Sequence, residues 1–167
     1  KSGKWSKWMV DFLKTNKVNL KTLSPHEHDK IMNIAQGLIH FAEIVFADSL
    51  RRLKMPVKEL LQYTGKASEL KVQLAARILD QDPSLYGNIQ IQNPQRLRSL
   101  KELLKSTEEL FKIVEKQDLK AFDKYFLENK KFLGNYTKEA YLESSYLIDK
   151  LLELRKVDTK STKKESP

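Results

Sequence analysis

The side chains able to do chemistry are few, and their spacing excludes most kinds of it. The chain has three histidines, His26, His28 and His40, and no cysteine. His26 and His28 stand two apart and point in different directions on a helix. No HxxxH or HExxH pattern brings two imidazoles onto one face, so no metal site is expected. Without cysteine there is no thiolate nucleophile, thiolate metal site or disulfide framework. The five glycines form no phosphate-cradling loop, so no nucleotide site is expected in this chain. No Ser/His/Asp arrangement can be argued from spacing, and carboxylate pairs such as Glu108 and Glu109 belong to solvated helix faces. Arg77 stands apart. On a helix it lies beside Leu70 and Leu74 at the edge of an apolar face, where its fork can take a carboxylate through two parallel charge-assisted bonds. The alternative is a local ion pair with Asp80 or Asp82.

The element that must position such groups runs from Ser24 to Arg52, the longest helix signal in the chain. Ser24 fits the N-cap, Pro25 the first helical position, and Glu27 completes a capping box. A helix of this length spans roughly 40 Å. At 100° per residue, Ile31, Ile34, Ala35, Leu38, Phe41, Ala42, Val45 and Phe46 cover most of its circumference, widened by Met32, Ile39 and Leu50. A narrow polar seam remains: Asp29, Asn33, Gln36, His40, Glu43 and Arg51. The seam either faces something specific or is the solvent-facing edge of a core helix. The helix itself is the central post of a bundle or part of an oligomer interface.

Around it, Trp5 to Thr15 reads as a short amphipathic helix, followed by a turn at Asn16 and Lys17 and a brief strand-like alternation through Val18, Leu20 and Leu23. Helix, turn and strand resemble one αβ unit of a parallel sheet, which cannot form a sheet by itself. Residues 1–24 therefore read as the last piece of a preceding α/β domain, the alternative being a helix packed on the bundle. Pro56 opens a helix ending at Gly65, expected as a C′ residue. Helices follow over 67–81, 84–92 after the Asp82-Pro83 break, 95–116, Asp118 to Gly134, and 138–156 opened by Thr137. Their aromatics read as core residues. Residues 157–167 carry no apolar pattern and are expected to be disordered.

At 167 residues the chain fits one domain with size enough for a core, and its low glycine and proline content favours an all-α bundle. No apolar run is long enough to span a membrane and no secretory signal is visible, which fits a cytoplasmic protein. The net charge is +9, but the lysines are scattered along helix faces without a dense basic block, so nucleic-acid binding is not expected.

Two stretches resemble a known family. PHEHDKIM, leading to GLIHF, and LAARILDQDPSLYGNI resemble the C-terminal helical domain of prephenate dehydrogenases. The family pattern reads here as Ser24-Pro25, His28-Asp29, His40, Arg77-Ile78, Asp82-Pro83, Leu85-Tyr86 and Asn88-Ile89. The resemblance covers about residues 5–155 and is specific over 24–41 and 74–89. It implies an all-α domain (25–156) that dimerises and binds substrate, with residues 1–24 the end of a Rossmann domain. It implies a homodimer that oxidises prephenate with NAD or NADP, losing CO2 to give 4-hydroxyphenylpyruvate on the route to tyrosine; close relatives use arogenate. It places the substrate-carboxylate arginine on Arg77, the substrate-site histidine on His40, the pocket aromatic on Tyr86, and Gln36 one turn before His40. His28 and Asp29 fall to fixing the helix start. Many relatives carry a second histidine where this chain has Gly37. The cofactor loop and the catalytic histidine belong to the other domain, so no catalytic residue is expected here, and the chain alone is expected to be inactive and to bind no cofactor. A reading of another class is a non-catalytic basic helical module binding nucleic acid or protein.

Overall fold

The computed structural model describes residues 3–161, with side chains as far as Glu153. Among the described residues all regular structure is helical, as the composition led us to expect. The order is α1 (Gly3–Thr15), α2 (Pro25–Met32), a π-helical segment (Asn33–Leu38), α3 (Ile39–Arg52), α4 (Val57–Tyr63), α5 (Lys66–Leu79), α6 (Pro83–Gln92), α7 (Arg96–Glu115), α8 (Leu119–Leu133) and α9 (Tyr136–Ser161).

Several boundaries are set by the side chains that the sequence offers. The Ser24 hydroxyl accepts from the Glu27 amide at 3.2 Å, and the Glu27 carboxylate accepts from the Ser24 amide at 2.9 Å, a complete capping box. Asp82 takes the amide of Ser84 to open α6, and Asp118 that of Ala121 to open α8. Gly134, at φ +57°, ends α8 in the left-handed region that a side chain resists. The hydroxyl of Ser24 holds the Glu27 carboxyl below its ordinary range, and Ser84 does the same for Asp82.

Five expectations need correction. The aromatics of the later helices are not core residues: Phe111, Phe126, Phe132, Tyr141 and Tyr146 are all exposed, because α7, α8 and α9 meet few neighbours within the chain. Val18 to Leu23 form no strand: Lys17 turns at φ 57°, the Val18 amide bonds back to the Leu13 carbonyl at 3.0 Å, and no neighbouring strand exists among the described residues to pair with. Gly65 is not a left-handed C′ residue. It sits at φ −68°, ψ 159° as the N-cap of α5, because extended Thr64 has already turned the chain. Residues 157–161 continue α9 rather than opening an unstructured tail, and 162–167 lie outside the described residues. The helix from Pro25 to Arg52 is unbroken, but a π turn interrupts its α-helical winding.

That turn redistributes the polar seam. Asn33, at the start of the π segment, is buried against α7, whereas Glu43 on α3 is buried against α5. The seam is thus divided: Asn33 and Glu43 face two different neighbours within the chain, whereas Gln36 and Arg51 face solvent. At the helix end Arg51 and Arg52 both bond Asp48, and the two guanidinium groups, Arg52 foremost, lower its carboxyl pKa.

Much apolar surface looks outward. Val72 and Ala75 are the buried apolar side chains among the described residues, Leu38, Phe41 and Phe46 of the long helix are half-buried, and Ile31, Ile34, Ile39 and Val45 are exposed, Ile34 and Ile39 to 53%. The chain exposes 14803 Å², against about 8,500 Å² for a self-contained folded chain of this mass.

The capping box makes a test of the helix start. Ser24→Ala removes the two bonds of the hydroxyl, to the Glu27 amide and carboxylate, keeps the bond from its own amide to that carboxylate, and is expected to lower the melting temperature by about 3 °C near neutral pH. Because the folded-state pKa of Glu27 is lowered, its contribution is present above the ordinary carboxylate range and is lost as pH falls through the depressed value. The gap between wild type and variant in melting temperature should therefore narrow on acidification; a gap independent of pH would contradict the capping role.

Candidate functional site

The π turn is held by groups that reach it from the later helices. The hydroxyl of Ser99, on α7, lies 3.1 Å from both the Asn33 Oδ1 and the Arg96 carbonyl of its own helix, its one proton shared between the two, and Asn33 is 5% exposed. The Nε2 of Gln90, on α6, donates to the Gly37 carbonyl at 3.0 Å. A Cβ at position 37 would stand 3.3 Å from the Asn33 Oδ1, so the close packing beneath this turn depends on the absent side chain. One turn upstream, the Asn93 Nδ2 donates to the Asp29 carbonyl at 2.9 Å, and Gln95 meets His26 at 3.3 Å between nitrogens. The helix start is therefore tied to the α6–α7 connection. His28 and Asp29 meet each other, Nδ1 to Oδ1, at 3.3 Å.

Immediately after the π turn, His40 meets Tyr86 of α6, ring centroids 5.0 Å apart at 62°, edge to face. The His40 Nδ1 is buried and has no hydrogen-bond partner among the described residues. Tyr86 lines a shallow, mainly apolar cleft of about 220 Å³ with Ile44, Ile78, Leu79, Pro83 and Gln90. An imidazole nitrogen without a partner is costly unless something else supplies one.

The four residues singled out in the sequence are placed unequally. His40 and Tyr86 are in contact across 46 positions of chain, which hydrophobic periodicity gave no means to foresee. Gln36 lies within the π segment and is exposed. Arg77 stands in the last turn of α5, next to Ile78 and Leu79 of the cleft, but is not among the groups lining it. Its local alternative is not formed: Arg77 has no ion pair with Asp80 or Asp82, and Asp82 is engaged by Ser84. The guanidinium is exposed and without an ionic partner among the described residues.

Sequence reasoning passed over Gln90 and Ser99, and named Asn33 and Glu43 only as members of the polar seam. The one available signal for the turn was a glycine in mid-helix four residues after an asparagine, a pairing that weakens an α-helix without any evident local reason. Glu43 and Glu69 are buried, at 7% and 4% exposure. The Lys71 ammonium bonds the Glu43 Oε1 and ties α3 to α5, leaving Oε2 without a partner.

The fold and this polar arrangement define an all-helical domain built on one long helix whose polar side is turned inward. Residues 24–128 match the sequence model of a family described as prephenate dehydrogenase, dimerization domain. The chain belongs to that family. It is 31% identical over 160 residues to a probable arogenate/prephenate dehydrogenase of Methanocaldococcus jannaschii, covering 95% of this chain and 36% of the relative. It is 26% identical over 141 residues to the T-protein of Enterobacter agglomerans, covering 84% and 38% respectively. A probable NADP-dependent prephenate dehydrogenase of Schizosaccharomyces pombe is 24% identical over 143 residues, with 86% and 33% covered. The chain thus spans little more than a third of the length of these relatives.

The Glu43–Lys71 contact can be checked by substitution. Lys71→Met leaves a buried carboxylate without its cation and is expected to cost about 1–2 kcal/mol in denaturant unfolding, the exposed lysine tempering the loss. Lys71→Arg should recover most of it. Equal stability of Lys71→Met and wild type would show that the pair does not hold α3 on α5.

Proposed function

We propose that this chain is the dimerising, substrate-binding part of an NAD- or NADP-dependent dehydrogenase acting on prephenate, with arogenate the alternative substrate. The observation that carries the reading is the His40–Tyr86 pair with its unpartnered buried nitrogen, set at a π turn inside the family-matched region. π turns inside α-helices recur at functional sites. The names of the relatives supply the substrate class and the cofactor class.

The overall reaction takes the ring hydroxyl carbon of prephenate to a carbonyl level as hydride passes to the nicotinamide, and CO2 departs as the ring becomes aromatic. This chain does not fit the cofactor. Its glycines stand at 3, 37, 65, 87 and 134, none two apart, and among the described residues no strand leads into a glycine-rich helix start. The cofactor site and the proton-accepting histidine are assigned to a domain outside this chain, with residues 1–24 the end of that domain. The work left to this chain is binding. Arg77, an unpaired guanidinium, suits a substrate carboxylate. His40 and Gln36 offer polar donors, and Tyr86 an apolar wall with a polar tip.

The homodimer is part of the same proposal. Exposed isoleucines along the long helix and a surface far above that of a self-contained chain support a second copy covering them. Sedimentation equilibrium should give twice the 19.5 kDa chain mass, unchanged by high salt. A monomer that binds polyanions in a salt-sensitive way would favour the basic interaction module instead.

The reading as an enzyme is tested in the full-length protein. Prephenate-dependent reduction of NAD or NADP should appear there and be absent from the 167-residue chain. Arg77→Ala should raise KM for prephenate about tenfold or more, with KM for the cofactor within about twofold of wild type. A variant that loses only thermal stability would make Arg77 a structural residue, and turnover by the chain alone would overturn the division of labour.

A further inference from the structure

We infer that Gln90 and Ser99 are positioning residues: their hydrogen bonds to Gly37 and Asn33 clasp the π turn and thereby aim His40 at Tyr86. The inference rests on the reading of His40 as a substrate-site residue.

A π turn spaces backbone hydrogen bonds i to i+5 and is intrinsically less favourable than the α-helix on either side. It persists where outside contacts hold it. Here two contacts arrive from outside the helix, at both ends of the segment. Ser99 donates to Asn33, the first residue of the turn, at 3.1 Å. Gln90 donates to the carbonyl of Gly37, its fifth residue, at 3.0 Å. Both acceptor residues are buried and both donors half-buried, so the bonds are partly withdrawn from solvent. Gly37 leaves room for the Asn33 amide, which a Cβ would approach at 3.3 Å.

The geometry gives the clasp a consequence at His40. The π turn winds by fewer degrees per residue than an α-helix, so it fixes the rotation of α3 relative to α2. His40 is the second residue of α3 and meets Tyr86, which lies on α6 one turn before Gln90. Gln90 also lines the cleft with Tyr86. One short helix therefore carries both the group that holds the turn and the ring that receives the imidazole. If the segment returned to α-helical winding, α3 would rotate against α2 and the His40 ring would leave the edge of Tyr86. Glu43–Lys71 ties α3 to α5 three residues beyond His40, so the displacement is expected to be confined to the first turn of α3.

The test is Gln90→Leu, which keeps the bulk and removes the donor. In the 167-residue chain, the His40 ring proton resonances should shift as they leave the ring current of Tyr86, while the melting temperature stays within a few degrees of wild type. In the full-length enzyme, KM for prephenate should rise about tenfold, with kcat and the cofactor KM changed by less than about threefold. Ser99→Ala is the milder second variant, expected to move the same resonances in the same direction, and it serves if Gln90→Leu does not fold. Unmoved His40 resonances in the folded variants would overturn the clasp. Shifted resonances with an unchanged prephenate KM would overturn its role in positioning. His40→Ala in the full-length enzyme separates the underlying reading: an unchanged prephenate KM there removes His40 from the substrate site, whatever the resonances of the Gln90 variant do.

Discussion

A helix that is apolar on most of its circumference and polar along a seam can turn only one of these faces to its own chain. In this fold the long helix turns the seam inward. Asn33, Gly37 and Glu43 are the buried positions of Pro25 to Arg52, and each meets a specific neighbour: Ser99, Gln90 and Lys71. Ile31, Ile34 and Ile39 are left outside, while Ile44 is half-buried in the cleft. This inverts the ordinary arrangement of an amphipathic helix, and the rest follows from it. The interior is held by these directional bonds together with half-buried apolar residues such as Ala47 and Leu50 beside Val72 and Ala75.

How much of this was legible beforehand depends on how local the cause is. The capping box at Ser24 and Glu27 and the caps at Asp82 and Asp118 were readable because the residues that make them lie within three positions of one another. The left-handed glycine at 134 was readable for the same reason. The strand at Val18 to Leu23 was misread because alternation marks a strand only where another strand accepts it, and a short stretch cannot announce its partner. Gly65 was misread because the conformation of Thr64 decided what the glycine had to do. The π turn was invisible to a wheel drawn at 100° per residue, which assumes the regularity that the turn breaks. Seeing it required contacts 53 and 66 positions away.

The site shows the same division. His40, Tyr86, Gln36 and Arg77 came forward through family resemblance, and the chain belongs to that family. What the fold adds is unequal placement. The imidazole and the phenol ring are a packed pair, whereas the guanidinium is exposed beside the cleft. An exposed arginine with no ionic partner at the end of a helix has no structural duty of the usual kind. Helix C-termini favour a cation, yet this one also has Asp80 and Asp82 within reach and bonds neither. If Arg77 takes the substrate carboxylate, as proposed, no local ion pair among the described residues has to break first.

The choice of polar rather than apolar contacts along the buried seam has a physical rationale. Apolar side chains at a helix crossing tolerate sliding and rotation, since dispersion and burial depend weakly on angle. A hydrogen bond from Gln90 to one particular carbonyl, or from Ser99 to one particular amide oxygen, is lost on a rotation that apolar packing would absorb. If a second copy covers the exposed apolar surface, as proposed, the burial energy there says little about the rotation of the helix within its own chain. The seam supplies what that interface lacks. It fixes the phase of the helix on either side of the π turn, and so fixes where the imidazole at the start of α3 is held, before any partner or substrate arrives.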